Sequence, residues 1–301
     1  NQMSMIVSSI GQGLLWAVLG VALFLTFRIL DFPDMTVEGS FPLGAATTVA
    51  MIAHGINPYL ATIAAFLVGA GAGLITGLLY TKGRIPILLA GILVMTAALS
   101  INLRIMGSAN ISLLNQKSIF SANFLQHLPK YFDAVFVGFI IITIITLALI
   151  FFLQTDLGQA FIATGDNATM AQSIGIKTDR MTIMGLMLSN GLIAFGGAVI
   201  AQNNGYADIN MGIGIIVIAL ASIIIGEVVF GELSLNERLV AVIVGSILYR
   251  LVLLAVLQLG FSTNDLNLIS AIVLAIAMML PRLRHALKLD SLIKKGVAPH
   301  E

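Results

Sequence analysis

Apolar residues in this chain run continuously instead of alternating or recurring every third or fourth position. Nine such runs fall near 10–29, 42–54, 58–81, 86–107, 132–153, 181–201, 212–231, 239–258 and 266–281. A helix that is apolar all round is surrounded by protein or lipid on every side. A hydrocarbon layer about 30 Å thick takes about 20 helical residues per crossing. The pattern therefore predicts an all-α, polytopic membrane bundle of about nine spans, forming a single domain over residues 1–285 with a basic tail at 286–301. The second run is short and opens with Phe41-Pro42-Leu43-Gly44, so it is expected to be a broken or re-entrant helix enclosed by protein. A faint repeat is visible: a broken span, a span rich in small residues and a third span, at 41–107 and again at 212–281.

Composition agrees. The chain is 58% hydrophobic and only 10% charged, with a mean hydropathy of +1.03. A water-soluble globule of this length has too little interior to hide that much apolar surface. The net charge of +1 argues against binding a polyanion. The absence of cysteine excludes thiol chemistry and cysteine-held metals. The opening Asn1-Gln2-Met3-Ser4-Met5 has no basic segment and no small-residue cleavage site, which reads against a signal peptide.

Lysine and arginine set the expected orientation. Arg28, Lys82, Arg84, Lys177, Arg180, Arg238, Arg282, Arg284, Lys288, Lys294 and Lys295 fall in one set of alternating loops, and Lys117 and Lys130 in the other, with Arg104 and Arg250 in or at the ends of spans. This bias predicts a cytoplasmic C-terminus. The outward loop 108–131 is polar, and the inward loop 155–180 is long enough to carry a function.

Polar residues inside apolar spans are costly unless they are paired or face water. Ser40, Thr47 and Thr48 on the broken span, Asn102 on the fourth, and Ser189 and Asn190 on the sixth are the candidates for a translocation path, with Asn203 and Asn204 at its outer mouth together with Gln202 and Asp208. Asn190 is expected to face a conduit. Glu227 and Arg250 lie in adjacent spans and are expected to form a structural or water-facing pair. Asp31, Asp34 and Glu38 cluster after the first span and read as solvated loop or gate residues rather than a metal site. His54, His127, His285 and His300 are scattered, so no metal is expected. Ala65, Gly69, Gly73 and Gly77 recur every four residues, which lets helix backbones approach closely, inside the bundle or else at a subunit interface.

Within the inward loop, Asp166 and Asn167 can cap a short helix and Gly175 can end it. Met170, Ala171 and Ile174 then share one face, and Thr169, Gln172 and Ser173 the other. Such a helix is either an amphipathic connector or a lever gripped by a cytoplasmic partner.

The stretch Gly158-Gln159-Ala160-Phe161-Ile162-Ala163-Thr164-Gly165-Asp166-Asn167-Ala168-Thr169-Met170-Ala171-Gln172-Ser173-Ile174-Gly175-Ile176 resembles the G-x-x-x-R-A-x-G-x-N-x-x-A-A-x-x-x-G-I segment of ABC importer permeases. The branch is the one that includes branched-chain amino acid, ribose and nucleoside permeases. Two departures stand out: Ile162 replaces the family's usual arginine, and Met170 one of its paired alanines. Asp34-Met35-Thr36-Val37-Glu38-Gly39-Ser40 is similar to the family's D-L-S-V-G-S turn with Glu38 added, and Thr81-Lys82-Gly83-Arg84-Ile85-Pro86 is similar to its inner K-G-R turn. Together these cover roughly residues 10–285.

The resemblance implies that Gly165, Asp166, Asn167, Met170, Ala171, Ile174 and Gly175 belong to a coupling helix that docks on a separate ATPase subunit, and that substrate passes between two permease subunits near Ser40 to Thr48. It implies ATP and Mg in that partner and no cofactor in this chain, an extracytoplasmic solute-binding protein, a second permease copy, and a bacterial plasma membrane. The chain has no G-x-x-x-x-G-K-[ST] phosphate loop, which fits a permease powered from outside itself. The compact form resembles amino-acid permeases more than the sugar branch, which makes an aromatic or branched-chain amino acid the expected substrate. A sugar or nucleoside permease is the alternative. An ion-coupled transporter would show inverted repeats and midplane carboxylates, and a membrane enzyme clustered nucleophiles and bases; neither pattern is evident.

Overall fold

Each apolar run becomes a helix, because backbone groups inside a bilayer must bond within their own segment. The computed structural model describes residues 2–114, 116–231 and 233–280. The tail at 286–301, Arg282, Arg284, His285 and the C-terminal side of the charge map lie outside the described residues. The helices are α1 (Gln2–Phe24, continued by a π-helical turn Leu25–Ile29), α2 (Val37–Ala53), α3 (Pro58–Thr81), α4 (Ile87–Met106), α5 (Asn123–Gln126), α6 (Phe132–Gln154), α7 (Asp156–Asp166), α8 (Ala168–Ser173), α9 (Thr178–Asn204), α10 (Ile215–Phe230) and α11 (Leu235–Gln258). The last described helix, α12, runs Thr263–Leu280.

Seven of these are long and apolar enough to cross a membrane, while α2 and α10 are shorter. The nine expected spans are thus seven long helices and two short ones among the described residues. The second run is short but not broken: α2 passes through Pro42 without interruption. Proline denies the Glu38 carbonyl its intrahelical partner, and Gly212 packs directly on that carbonyl and on the proline ring. The run at 212–231 loses its start to turns, with Gly214 in the left-handed conformation immediately before α10. The pure all-α expectation also gives way at one point. The outer loop contributes β1 (Asn110–Ser112), which pairs antiparallel with β2 (Tyr206–Asp208), giving backbone outside the helices its hydrogen bonds.

Helices α1, α2 and α9 form the buried centre, and α3, α4, α6, α11 and α12 surround it with large exposed apolar faces such as Leu67, Phe139 and Phe151. The small-residue stripe of α3 works inside the bundle. Gly69 abuts the backbone of Asn190, Gly73 that of Leu186 and Gly77 that of Ile183. A Cβ at Gly73 would lie 2.3 Å from the Leu186 carbonyl oxygen, so only glycine permits this α3–α9 approach.

The expected Glu227–Arg250 pair does not form. Glu227 instead accepts from Arg28 at 2.8 Å and from Arg238 at 3.2 Å, joining the ends of α1, α10 and α11. Arg250 lies a long way down α11 from Arg238 and stacks over the Trp16 ring at 4.6 Å. The ring face offers a cation partial compensation where no carboxylate among the described residues pairs with it.

Candidate functional site

Two regions carry the residues singled out from sequence. The first is the helical hairpin of α7 and α8. Thr155 caps α7 by accepting from the Gly158 amide at 3.2 Å. Phe161 is fully buried, and Gly165 lies so close to the Ile29 carbonyl that a Cβ would sit 1.7 Å from it. The hairpin is therefore fastened to the end of α1 instead of hanging from its two ends. Asp166 is the last residue of α7, and Asn167 alone caps α8, its Oδ1 accepting from the Met170 amide at 3.0 Å. The single helix expected from 166 to 174 is thus two helices with a corner at Asn167. Gly175, at φ +91°, ends the second.

The predicted apolar face is also split. Met170 and Ile174 are exposed at 45% and 67%, but Ala171 is fully buried against the body of the protein. With α8 only six residues long, Ala171 seats the helix while Met170 and Ile174 point away. Gln172 Nε2 donates to Thr178 Oγ1 at 3.0 Å, tying α8 to the start of α9. A cavity of about 540 Å³ separates this hairpin from the turn after α3, with Leu30, Tyr80, Arg84, Gly165, Gln172 and Asp179 among its walls. Arg84 adopts φ +53° there, a conformation that costs free energy for a side chain with a Cβ.

The second region surrounds the first turn of α2. Asn190 is completely buried. Its Nδ2 donates to Asp34 Oδ2 at 2.9 Å and to the Leu186 carbonyl at 2.9 Å, and its Oδ1 accepts from Ser40 Oγ at 2.7 Å. The Thr36 amide donates to the other Asp34 oxygen at 3.1 Å, and the Thr36 and Thr76 hydroxyls bond at 2.7 Å. The 34–40 turn is therefore a polar knot that pins α2 to α3 and α9. Asn190 is the thirteenth residue of α9, about 18 Å along it at 1.5 Å per residue. Thus α2 begins near the middle of the bundle, not at its edge.

This arrangement gives several of the path candidates partners. Asn190 and Ser40 bond to each other, and Asn190 to Asp34, across neighbouring elements. Asp34 is buried and bonded, not a solvated gate residue. Ser189 is buried and donates to the Ala22 carbonyl at 2.9 Å. Thr47 and Thr48 likewise spend their hydroxyls on the Leu43 and Ala61 carbonyls. At the outer end, Gln202 links α9 to the outer loop through the Ile119 amide and to α3 through the Thr62 hydroxyl. Asn203 is half-buried and Asn204 exposed beside it. Among the described residues no group of three metal-capable side chains gathers.

Asn102 alone of the path candidates is buried with neither amide atom bonded. It lines a cavity of about 230 Å³ with Glu38, Pro42, Met95, Leu99 and Ile213. Glu38 and the 209–214 segment were not among the path candidates. The repeat of short helices was the available signal, because the starts of α2 and α10 meet at this cavity.

The comparisons with known proteins agree with this architecture. Residues 5–280 match the family described as the permease component of branched-chain amino acid transport systems. The chain is 40% identical over 286 residues to a tyrosine transport system permease protein of Clostridioides difficile, covering 95% of this chain and 94% of that protein. It is 28% identical over 227 residues to the autoinducer 2 import system permease protein LsrC of Yersinia enterocolitica, covering 75% of this chain and 60% of that one. The fold resembles a chain in the solved structure of PsaBC from Streptococcus pneumoniae, with a TM-score of 0.53, 17% identity and coverage of 96% and 94%. A multi-pass helical body, a braced hairpin on the basic end and a family match over nearly the whole length lead to one assignment: the chain belongs to the ABC importer permeases of the branched-chain amino acid transport family.

Proposed function

We propose that this protein is the translocation subunit of a bacterial plasma-membrane ABC importer for an amino acid, with an aromatic side chain the favoured class. The observation that carries the coupling part is the α7–α8 hairpin. Its root is packed without slack at Phe161 and Gly165, while Met170 and Ile174 stand out as unpartnered apolar side chains among the described residues. A force applied at that tip reaches α1 and α9 directly. A cytoplasmic ATPase subunit binding ATP and Mg would take this tip. A second copy of the chain would complete the path, and an extracytoplasmic binding protein would deliver solute. The C. difficile relative named for tyrosine transport supports the amino-acid class over a sugar or nucleoside.

Proteoliposomes holding the permease, its ATPase and its binding protein should take up an aromatic amino acid only when ATP is supplied inside. Uptake indifferent to ATP, or driven by an ion gradient, would overturn the proposal.

The same reading fixes the sidedness of the loops. Lys117 and Lys177 are both exposed, and the native chain has no cysteine to give background. In intact cells Lys117→Cys should react with an impermeant maleimide, whereas Lys177→Cys should react only after permeabilisation. Labelling of both from one side contradicts the charge-derived orientation.

A further inference from the structure

The cavity between α2 and α4 has three properties that packing alone leaves unexplained. First, Asn102 is 99% enclosed, since 1% of it is exposed, yet both its amide oxygen and nitrogen lack a partner. A buried amide left empty-handed is destabilising, and native proteins keep few of them. Second, Glu38 reaches the same cavity from the first turn of α2. The Gly214 backbone amide at the start of α10 faces its carboxylate, and no basic side chain among the described residues pairs with it. The Gly214 amide offsets part of what burial costs the carboxylate, and a cation would offset more. Third, the wall between these two polar ends is largely apolar, with Pro42, Met95, Leu99, Ile209 and Ile213 beside Thr96 and Asn210.

Spacing along α4 orders these features. Met95, Leu99 and Asn102 follow one another at i, i+4 and i+7, so they share a face. Gly39 touches the backbone of Met95, 2.9 Å from a Cβ position, which places Glu38 near that level. Asn102 then lies about 10 Å further along the helix axis. A carboxylate at one end, an amide at the other and apolar walls between them match a solute with an ammonium group, a flat apolar middle and a polar tip.

We propose that this cavity is a substrate-contact site for a hydroxylated aromatic amino acid, with Glu38 engaging the ammonium group and Asn102 the ring hydroxyl. The inference rests on the importer reading and deepens it. It gives the membrane subunit a selectivity of its own, separate from that of the binding protein. A site built around a hydroxyl rejects the analogue lacking it, because the site's own polar group is then left unpaired.

The test uses the complete permease–ATPase complex in lipid nanodiscs without the binding protein. Bound tritiated L-tyrosine is displaced by unlabelled L-tyrosine, L-phenylalanine or desamino-tyrosine, which keeps the hydroxyl and lacks the ammonium. In the wild type, phenylalanine and desamino-tyrosine should each compete about tenfold more weakly than tyrosine, the equivalent of one hydrogen bond. Asn102→Leu should erase the tyrosine–phenylalanine difference and leave the desamino-tyrosine difference intact. Glu38→Gln should do the reverse. Leucine removes an unpartnered amide, so the melting temperature of the complex should not fall; if it falls, Asn102→Ala carries the same comparison with space in place of bulk. Differences that persist in the variants, or a wild type that shows none, overturn the proposal. Failure of the importer reading would register separately, as absence of ATP-driven uptake by the wild-type complex in proteoliposomes.

Discussion

Asn190→Leu should strip the permease of much of its stability, by about 3–5 kcal/mol, and the loss should appear in assembly before it appears in transport. The amide holds Asp34 and Ser40 together across α2 and α9, and leucine satisfies neither. A buried polar group left without its partner costs about 1–3 kcal/mol, and leucine leaves two of them, the Asp34 carboxyl and the Ser40 hydroxyl. Asn190→Asp should be as damaging, since it sets a second carboxylate against Asp34. The measurements are the melting temperature and yield of the purified complex, and uptake normalised to folded complex. A leucine variant that melts with the wild type but transports poorly would return Asn190 to the lining of a conduit.

At the hairpin tip, Met170→Glu combined with Ile174→Glu should abolish co-purification of the ATPase while leaving the permease's own melting unchanged. Both side chains are exposed in the isolated chain, so charge there is harmless until a partner buries it. An unpaired charge in a docked interface costs several kcal/mol, which reduces association more than a hundredfold. Ala171→Asp should behave differently. Ala171 is buried, so the aspartate should lower permease stability directly. ATPase retained by the double glutamate variant, with ATP-dependent uptake intact, would remove α8 from the coupling role.

Much of this protein was legible in one dimension. The nine apolar runs mark the helices because lipid and a helical core both demand uninterrupted apolar sequence, and no partner is needed to reveal that. The glycines of α3 announced a close helix contact by their spacing, and Gly175 announced a helix end. The three short motifs announced the family, which residues 5–280 confirm. What sequence left open is what depends on depth and direction. Glu227 and Arg250 are both costly residues in adjacent helices, yet only the folded bundle sets Glu227 level with Arg28 and Arg238 and turns Arg250 to Trp16. Ala171 and Met170 are neighbours on a helical wheel, but a six-residue helix seated on the protein buries one and frees the other. Asn190, Ser40 and Asn102 read alike as polar groups in apolar helices. Tertiary structure gives the first two each other and Asp34, and leaves Asn102 facing a cavity with its amide unspent. A sequence records which groups need a partner; which groups find one depends on the third dimension, because a partner can lie as far off along the chain as Arg28 does from Glu227, 199 residues away.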